Sequence, residues 1–139
     1  MSYEFLENIT LADVAFEASG RTLEEMFSSA AEALTATMVK DIKTVKPKLK
    51  KKINFKAENV EKLLYAFLEE LIFLKDSELL LFSEYRLKAN ETSLEGEISG
   101  EKLNMKKHEL LVDVKAVTMH MFEVKHEKGT WKTRVVLDV

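Results

Sequence analysis

Cysteine is absent from the 139 residues and proline occurs once, at Pro47. Without cysteine neither a disulfide framework nor a thiolate metal site can form, so packing has to stabilise the fold, and a reducing compartment, the cytoplasm, is the expected setting. Glycine is equally sparse. Gly20, Gly96, Gly100 and Gly129 are scattered, with no spacing that would cradle a phosphate. Long apolar runs are missing too: the densest, Leu71 to Leu74 and Leu79 to Phe82, are four residues each, and the first residues carry acids instead of a basic stretch. Neither a membrane span nor a secretion signal is expected. Nor is there an excess of positive charge. With 21 basic and 24 acidic residues the net charge is −3, so any contact with nucleic acid needs a local patch.

What is present is the material of a globular domain. Apolar residues make up 46% and charged residues 32% of a length suited to one core, so residues 1–139 are read as one domain. Tyr3 to Leu6 and Val14 to Ala18 read as extended chain, with a break at Asn8 to Ala12. Thr22-Leu23-Glu24-Glu25 fits a capping box, and Leu23, Met26, Phe27, Ala30, Leu34 and Met38 recur at helical spacing, which predicts a helix to about Val39. From Val45 to Phe55 the period becomes two, with lysines on the outer parity and Pro47 marking a strand start or a sheet edge. Asn59 caps a second helix whose inward face is Val60, Leu63, Leu64, Phe67, Leu68 and Leu71, ending near Asp76. Strands are expected at Leu79 to Lys88, Ser93 to Ser99, Leu110 to Val124 and Trp131 to Val139, the last two joined at Gly129. The class is α+β: a two-layer sandwich of two helices on a mixed, mainly antiparallel sheet.

Few residues stand out chemically. On the last strand Trp131, Thr133, Val135, Leu137 and Val139 share the apolar face and leave Asp138 on the other; Asp13 projects likewise from the start of its own strand. If these strands are neighbours, Asp13, Asp138 and the terminal oxygens of Val139 form a cluster of hard oxygens suited to calcium or magnesium. Zinc and copper are poor fits, since His108, His120 and His126 show no paired spacing. The bland alternative is two solvated aspartates at strand ends. Lys115 points away from Val112, Val114, Ala116 and Thr118, either as an ordinary outward residue or as a contact for a phosphate or a partner's carboxylate. His120 falls on the apolar parity with Phe122 and Val124, a sheet-edge or core position. The lysines from Lys46 to Lys56 offer a solvated face or a phosphate contact, without interleaved aromatics. No Ser-His-Asp constellation can be picked out, so an autonomous enzyme is not the leading expectation.

Several segments together resemble the archease family. They are Tyr3-Glu4-Phe5-Leu6-Glu7 leading to Ala12-Asp13-Val14, the helix opening at Thr22, Leu71 to Glu78 running into Leu81-Phe82-Ser83-Glu84, Val114 to His120, and Val135-Val136-Leu137-Asp138-Val139. The resemblance implies a non-catalytic protein cofactor of the RtcB-type tRNA-splicing RNA ligase, promoting its guanylylation and multiple turnover. It also implies a calcium site at Asp13, Asp138 and Val139, and a ligase-assisting role for Lys115. One departure stands out: the family often has His-Thr directly before Ala-Asp, whereas this chain reads Asn8-Ile9-Thr10-Leu11-Ala12-Asp13, longer by two and without the histidine. Two other functions stay open: a metal-dependent phosphoester hydrolase using the same aspartates, and a chaperone or RNA-binding module using the lysine-rich strand.

Overall fold

The computed structural model describes residues 2–6 and 13–139; the altered segment Asn8 to Ala12 lies outside them. In chain order the elements are β1 (Ser2–Leu6), β2 (Asp13–Gly20), α1 (Leu23–Met38), a 3-10 turn (Ile42–Thr44) and β3 (Leu49–Lys56). Then come α2 (Val60–Glu78), β4 (Leu80–Ala89), β5 (Ser93–Lys102), β6 (Ala116–Glu127) and β7 (Thr130–Asp138). The α+β class is as expected. The β layer, however, is two sheets: a four-stranded one ordered β1-β2-β7-β6 and a three-stranded one ordered β3-β5-β4, with every pairing antiparallel.

Both helices begin where their caps direct. The Thr22 hydroxyl accepts from the Glu25 amide at 3.1 Å, and the Glu25 carboxylate reaches back to the Arg21 amide at 3.3 Å, so the two side chains satisfy amides that the first turn leaves free. The Asn59 side chain accepts from the Lys62 amide at 2.9 Å. At the far end of α2, Leu79 takes a left-handed conformation (φ 57°) and its amide closes on the carbonyls of Leu74 and Lys75. The turn aims the chain straight into β4.

One apolar core joins the helices to both sheets. Phe16, Val135 and Leu137 come from the four-stranded sheet, Phe82, Leu94 and Ile98 from the three-stranded one, and Met26, Phe27, Leu63, Leu64 and Phe67 from the helices. Each such fully buried side chain contributes roughly 1.5–3 kcal/mol. Phe27 and Phe67 meet edge to face at 6.0 Å, which ties α1 to α2. β5 is the central strand of its sheet, and at Gly100 it passes so close to β4 that a Cβ would stand 1.8 Å from the Leu81 carbonyl oxygen.

Two strand starts and the facing of two β6 residues differ from the pattern reading. The β3 strand starts at Leu49, not Val45, because Asp41 caps the Ile42–Thr44 turn and draws Val45 into it. The last long strand starts at Ala116, not Leu110: residues 111–115 run as a strap beside the helices, with Leu111 and Val112 exposed and Val114 buried. Val117 therefore points into the core, where Ala116 and Thr118 were expected. His120 is exposed, since β6 inserts residues between Thr118 and Glu123 in a bulge centred on Met121 (φ 56°).

Candidate functional site

The strand register decides whether the two aspartates meet. β2 and β7 are neighbours, and Asp13 lies directly opposite Asp138. Val14, Phe16 and Leu137 are on the helix-facing parity, so both carboxylates project from the outer face of the four-stranded sheet at its end. Directly opposed residues of an antiparallel pair have Cβ atoms about 4.5–5.5 Å apart, and like charges there repel. Asp13, Asp138 and Val139 are each half-buried.

Lys115 belongs to the same end. Ala116 is the β6 partner of Asp138, and the Lys115 amide donates to the Asp138 main-chain oxygen at 2.8 Å, one residue beyond the paired stretch. Its side chain is exposed. The register thus brings together all four residues singled out from the sequence: Asp13, Asp138, Val139 and Lys115. Among the described residues no group of three or more His, Asp or Glu side chains is arranged to hold a metal ion. Two carboxylates with the oxygens of Val139 are hard-oxygen donors, the kind that suits calcium or magnesium. They are a poor set for zinc.

No histidine is a strand partner of Asp13 or Asp138, and His120 is exposed in the β6 bulge. His126 pairs with Trp131 near the β6–β7 turn, its ring stacked on the indole at 4.3 Å, and His108 is 1% exposed and committed to a buried network.

The strap that delivers Lys115 is held by a residue the sequence reading passed over. Lys75, near the end of α2, is 5% exposed, and its ammonium donates to Asp76, to Asp113 Oδ1 at 2.6 Å and to the Val114 carbonyl at 2.8 Å. Burial pushes the amine towards neutrality, but the hydrogen bonds and charges of Asp113 and Asp76 outweigh it and hold its pKa above the ordinary lysine value. On the helix pattern Lys75 looked like one more polar residue in a final turn. Only the fold shows that three acceptors converge on it.

Over residues 3–139 the chain matches the Archease protein family. It belongs to that family. A protein archease of Methanothermobacter thermautotrophicus is 38% identical over 99% of this chain and 98% of its own length, and one from Sulfolobus acidocaldarius is 37% identical over 99% and 98%. Among solved structures, the solution structure of a Methanobacterium thermoautotrophicum protein superposes with a TM-score of 0.84 at 37% identity, covering 99% of this chain and 98% of that one. The crystal structure of a Thermotoga maritima archease, described as a possible chaperone, gives a TM-score of 0.67 at 23% identity, covering 94% and 93%. At that identity it speaks for the fold alone.

A second network also escaped the sequence reading of this archease-family chain. The Glu101 carboxylate, nearly buried, accepts from the Lys46 amide at 2.6 Å, from Lys107 Nζ at 2.8 Å and from His108 Nε2 at 3.1 Å. His108 Nδ1 accepts from the Asn104 amide at 2.9 Å, which fixes the ring proton on Nε2, facing Glu101. Burial raises the Glu101 pKa, yet these donors outweigh it and bring the value down to about 2. This network pins the chain after β5 to the approach of β3.

Proposed function

We propose that this archease-family protein is a non-catalytic cofactor of an RtcB-type tRNA-splicing RNA ligase, acting through a calcium-binding acidic end of its four-stranded sheet. The observation that carries the reading is the register: Asp13 opposite Asp138, with the Lys115 amide bonded to Asp138. Asp13 and Asp138 would hold the ion with the oxygens of Val139 and water. Bound there, calcium supplies a fixed positive charge between two carboxylates that otherwise repel.

The protein's own residues do the rest. Asp138 is paired on both sides, with Asp13 on β2 and Ala116 on β6, and that pairing sets the position of Asp13 as well. Lys115 presents an ammonium that forms no ion pair among the described residues, from a strap held by Lys75 at the same end of the sheet as the acidic pair. An exposed cation on a main chain held to Asp138, beside a neutralised carboxylate pair, would shift a partner enzyme towards its nucleotide-reactive state by binding that state more tightly.

The test is ligase guanylylation and turnover with catalytic amounts of the protein, with and without calcium. Wild type stimulates both; Asp138→Asn and Lys115→Ala, folded by circular dichroism, do not. Full stimulation by Asp138→Asn would refute the acidic end as the working part. Absence of stimulation by wild type would refute the partnership.

A further inference from the structure

The outer face of the three-stranded sheet is charged in an ordered way that the acidic end does not use. Rows across it read Lys52, Glu97, Arg86 and then Asn54, Glu95, Lys88 on β3, β5 and β4. In these two rows the edge strands carry the basic residues and the central strand the acids; one row further on, β4 carries Glu84 opposite Ser99. Lys50 and Lys56 extend the β3 rim, and they face Ser99 and Ser93, not acids. Among the described residues, Lys50, Lys52, Lys56, Arg86 and Lys88 form no ion pair, although Lys48 and Lys51 on the same segment are paired with Glu101 and Glu78. A groove of about 620 Å³ runs between the rims over Gly96, and a second of about 380 Å³ adjoins it at Asn54, Lys88 and Glu95.

We propose that this groove docks single-stranded RNA, with phosphates on the lysine rim and bases over the glutamate floor. Alternate residues of a strand lie about 6.7 Å apart, close to the separation of neighbouring phosphates in an extended polynucleotide. The floor decides the kind of polyanion. An acidic peptide would set its carboxylates against Glu95 and Glu97, whereas a nucleic acid keeps its charge at the rim and offers amino groups to the floor, as cytosine N4 does to a glutamate. With no aromatic on the outer parity, recognition runs through charge and these amino groups, not through stacking. Basic side chains on both edge strands also discourage strand addition, but that leaves Glu95 and Glu97 on the central strand, which has no free edge, without a use. The choice of RNA over DNA rests on the proposed partnership with an RNA ligase.

Fluorescence anisotropy with labelled twelve-nucleotide oligomers of cytidine and of uridine tests it. For about four phosphates neutralised, the log-log salt slope is about −3, so binding weakens about 50-fold from 50 to 200 mM salt. Lys50→Gln combined with Lys52→Gln and Lys56→Gln, all exposed positions, lowers the slope by about 2. Wild type prefers oligocytidine to oligouridine, and Glu95→Ala with Glu97→Ala abolishes that preference while tightening binding to both. Equal affinity for the two oligomers, for the matching DNA, or for polyglutamate would overturn the proposal, as would no binding at 50 mM salt. Guanylylation of the ligase without RNA reads the acidic end alone. The lysine variants leave it unchanged, so failure of the groove and failure of the ligase partnership give different results.

Discussion

Replacing Lys75 by methionine removes one ammonium and keeps most of the volume, which isolates the clamp between α2 and the strap. Three acceptors lose their donor, and their exposures decide the magnitude. Asp113 and Asp76 are 69% and 56% exposed, so water takes over at both and each loses little. The Val114 carbonyl lies beneath a fully buried residue; left unpaired, it costs about 1–3 kcal/mol. The methionine recovers part of this because a buried ammonium no longer has to be desolvated. The net expectation is a loss of about 2 kcal/mol, or roughly 6 °C in melting temperature for a chain of this size. Asp113→Asn, which keeps an acceptor at an exposed position, costs well under 1 kcal/mol. Urea unfolding followed by Trp131 fluorescence measures both, and hydrogen exchange at the Lys115 amide reports whether the strap has come loose. A Lys75→Met protein within about 0.5 kcal/mol of wild type, or unchanged protection at Lys115, would refute the clamp. The raised Lys75 pKa gives the sign with pH: its contribution is complete below the unfolded lysine value and is lost as pH rises through the folded one.

Three further outcomes follow from other parts of the fold. Asp138→Asn removes the like-charge opposition to Asp13, so in chelator the variant melts at or above wild type, while added calcium raises the melting temperature of wild type only; calorimetry with and without the ion shows both. Glu101→Gln weakens charged hydrogen bonds at a nearly buried site and costs about 2 kcal/mol at pH 7. Because the folded Glu101 pKa is depressed to about 2, that difference is present above the unfolded carboxyl value and shrinks as pH falls from about 5 towards 2, which acid-unfolding curves of the two proteins test. Gly100→Ala drives a Cβ into the Leu81 carbonyl, and since main chain on both sides must move, about 3 kcal/mol is lost in chemical denaturation.

The parts of this fold that local chemistry determines were legible in the sequence. Thr22 and Asn59 announced the helix starts within a residue because each side chain answers an amide three residues away. Strand parity placed Val135 and Leu137 inward, since one face of the strand meets the helices. Where parity failed, a distant partner had overruled it. Val136 alternates with the core residues yet is fully buried on the outer side, next to the buried Ala15 on β2. Leu111 to Lys115 has the composition of a strand, but Lys75 takes the Val114 carbonyl that a ladder would have used. Such patterns read the same whether the segment pairs or packs.

The candidate site shows the same division more sharply. Periodicity could place Asp13 and Asp138 on outer faces, but whether they met depended on β2 pairing with β7 across more than a hundred residues of chain, and on a register that a shift of one residue would have undone. That register is held by matched burial: Phe16 opposite Val135, Ala15 opposite Val136, Ala18 opposite Thr133, every one of them shielded from water. Slipping β2 by one residue would expose Phe16 and bury Glu17, at a cost of several kcal/mol. The core therefore enforces an unfavourable opposition of two carboxylates at the sheet's end. That opposition is what the proposed calcium site would relieve.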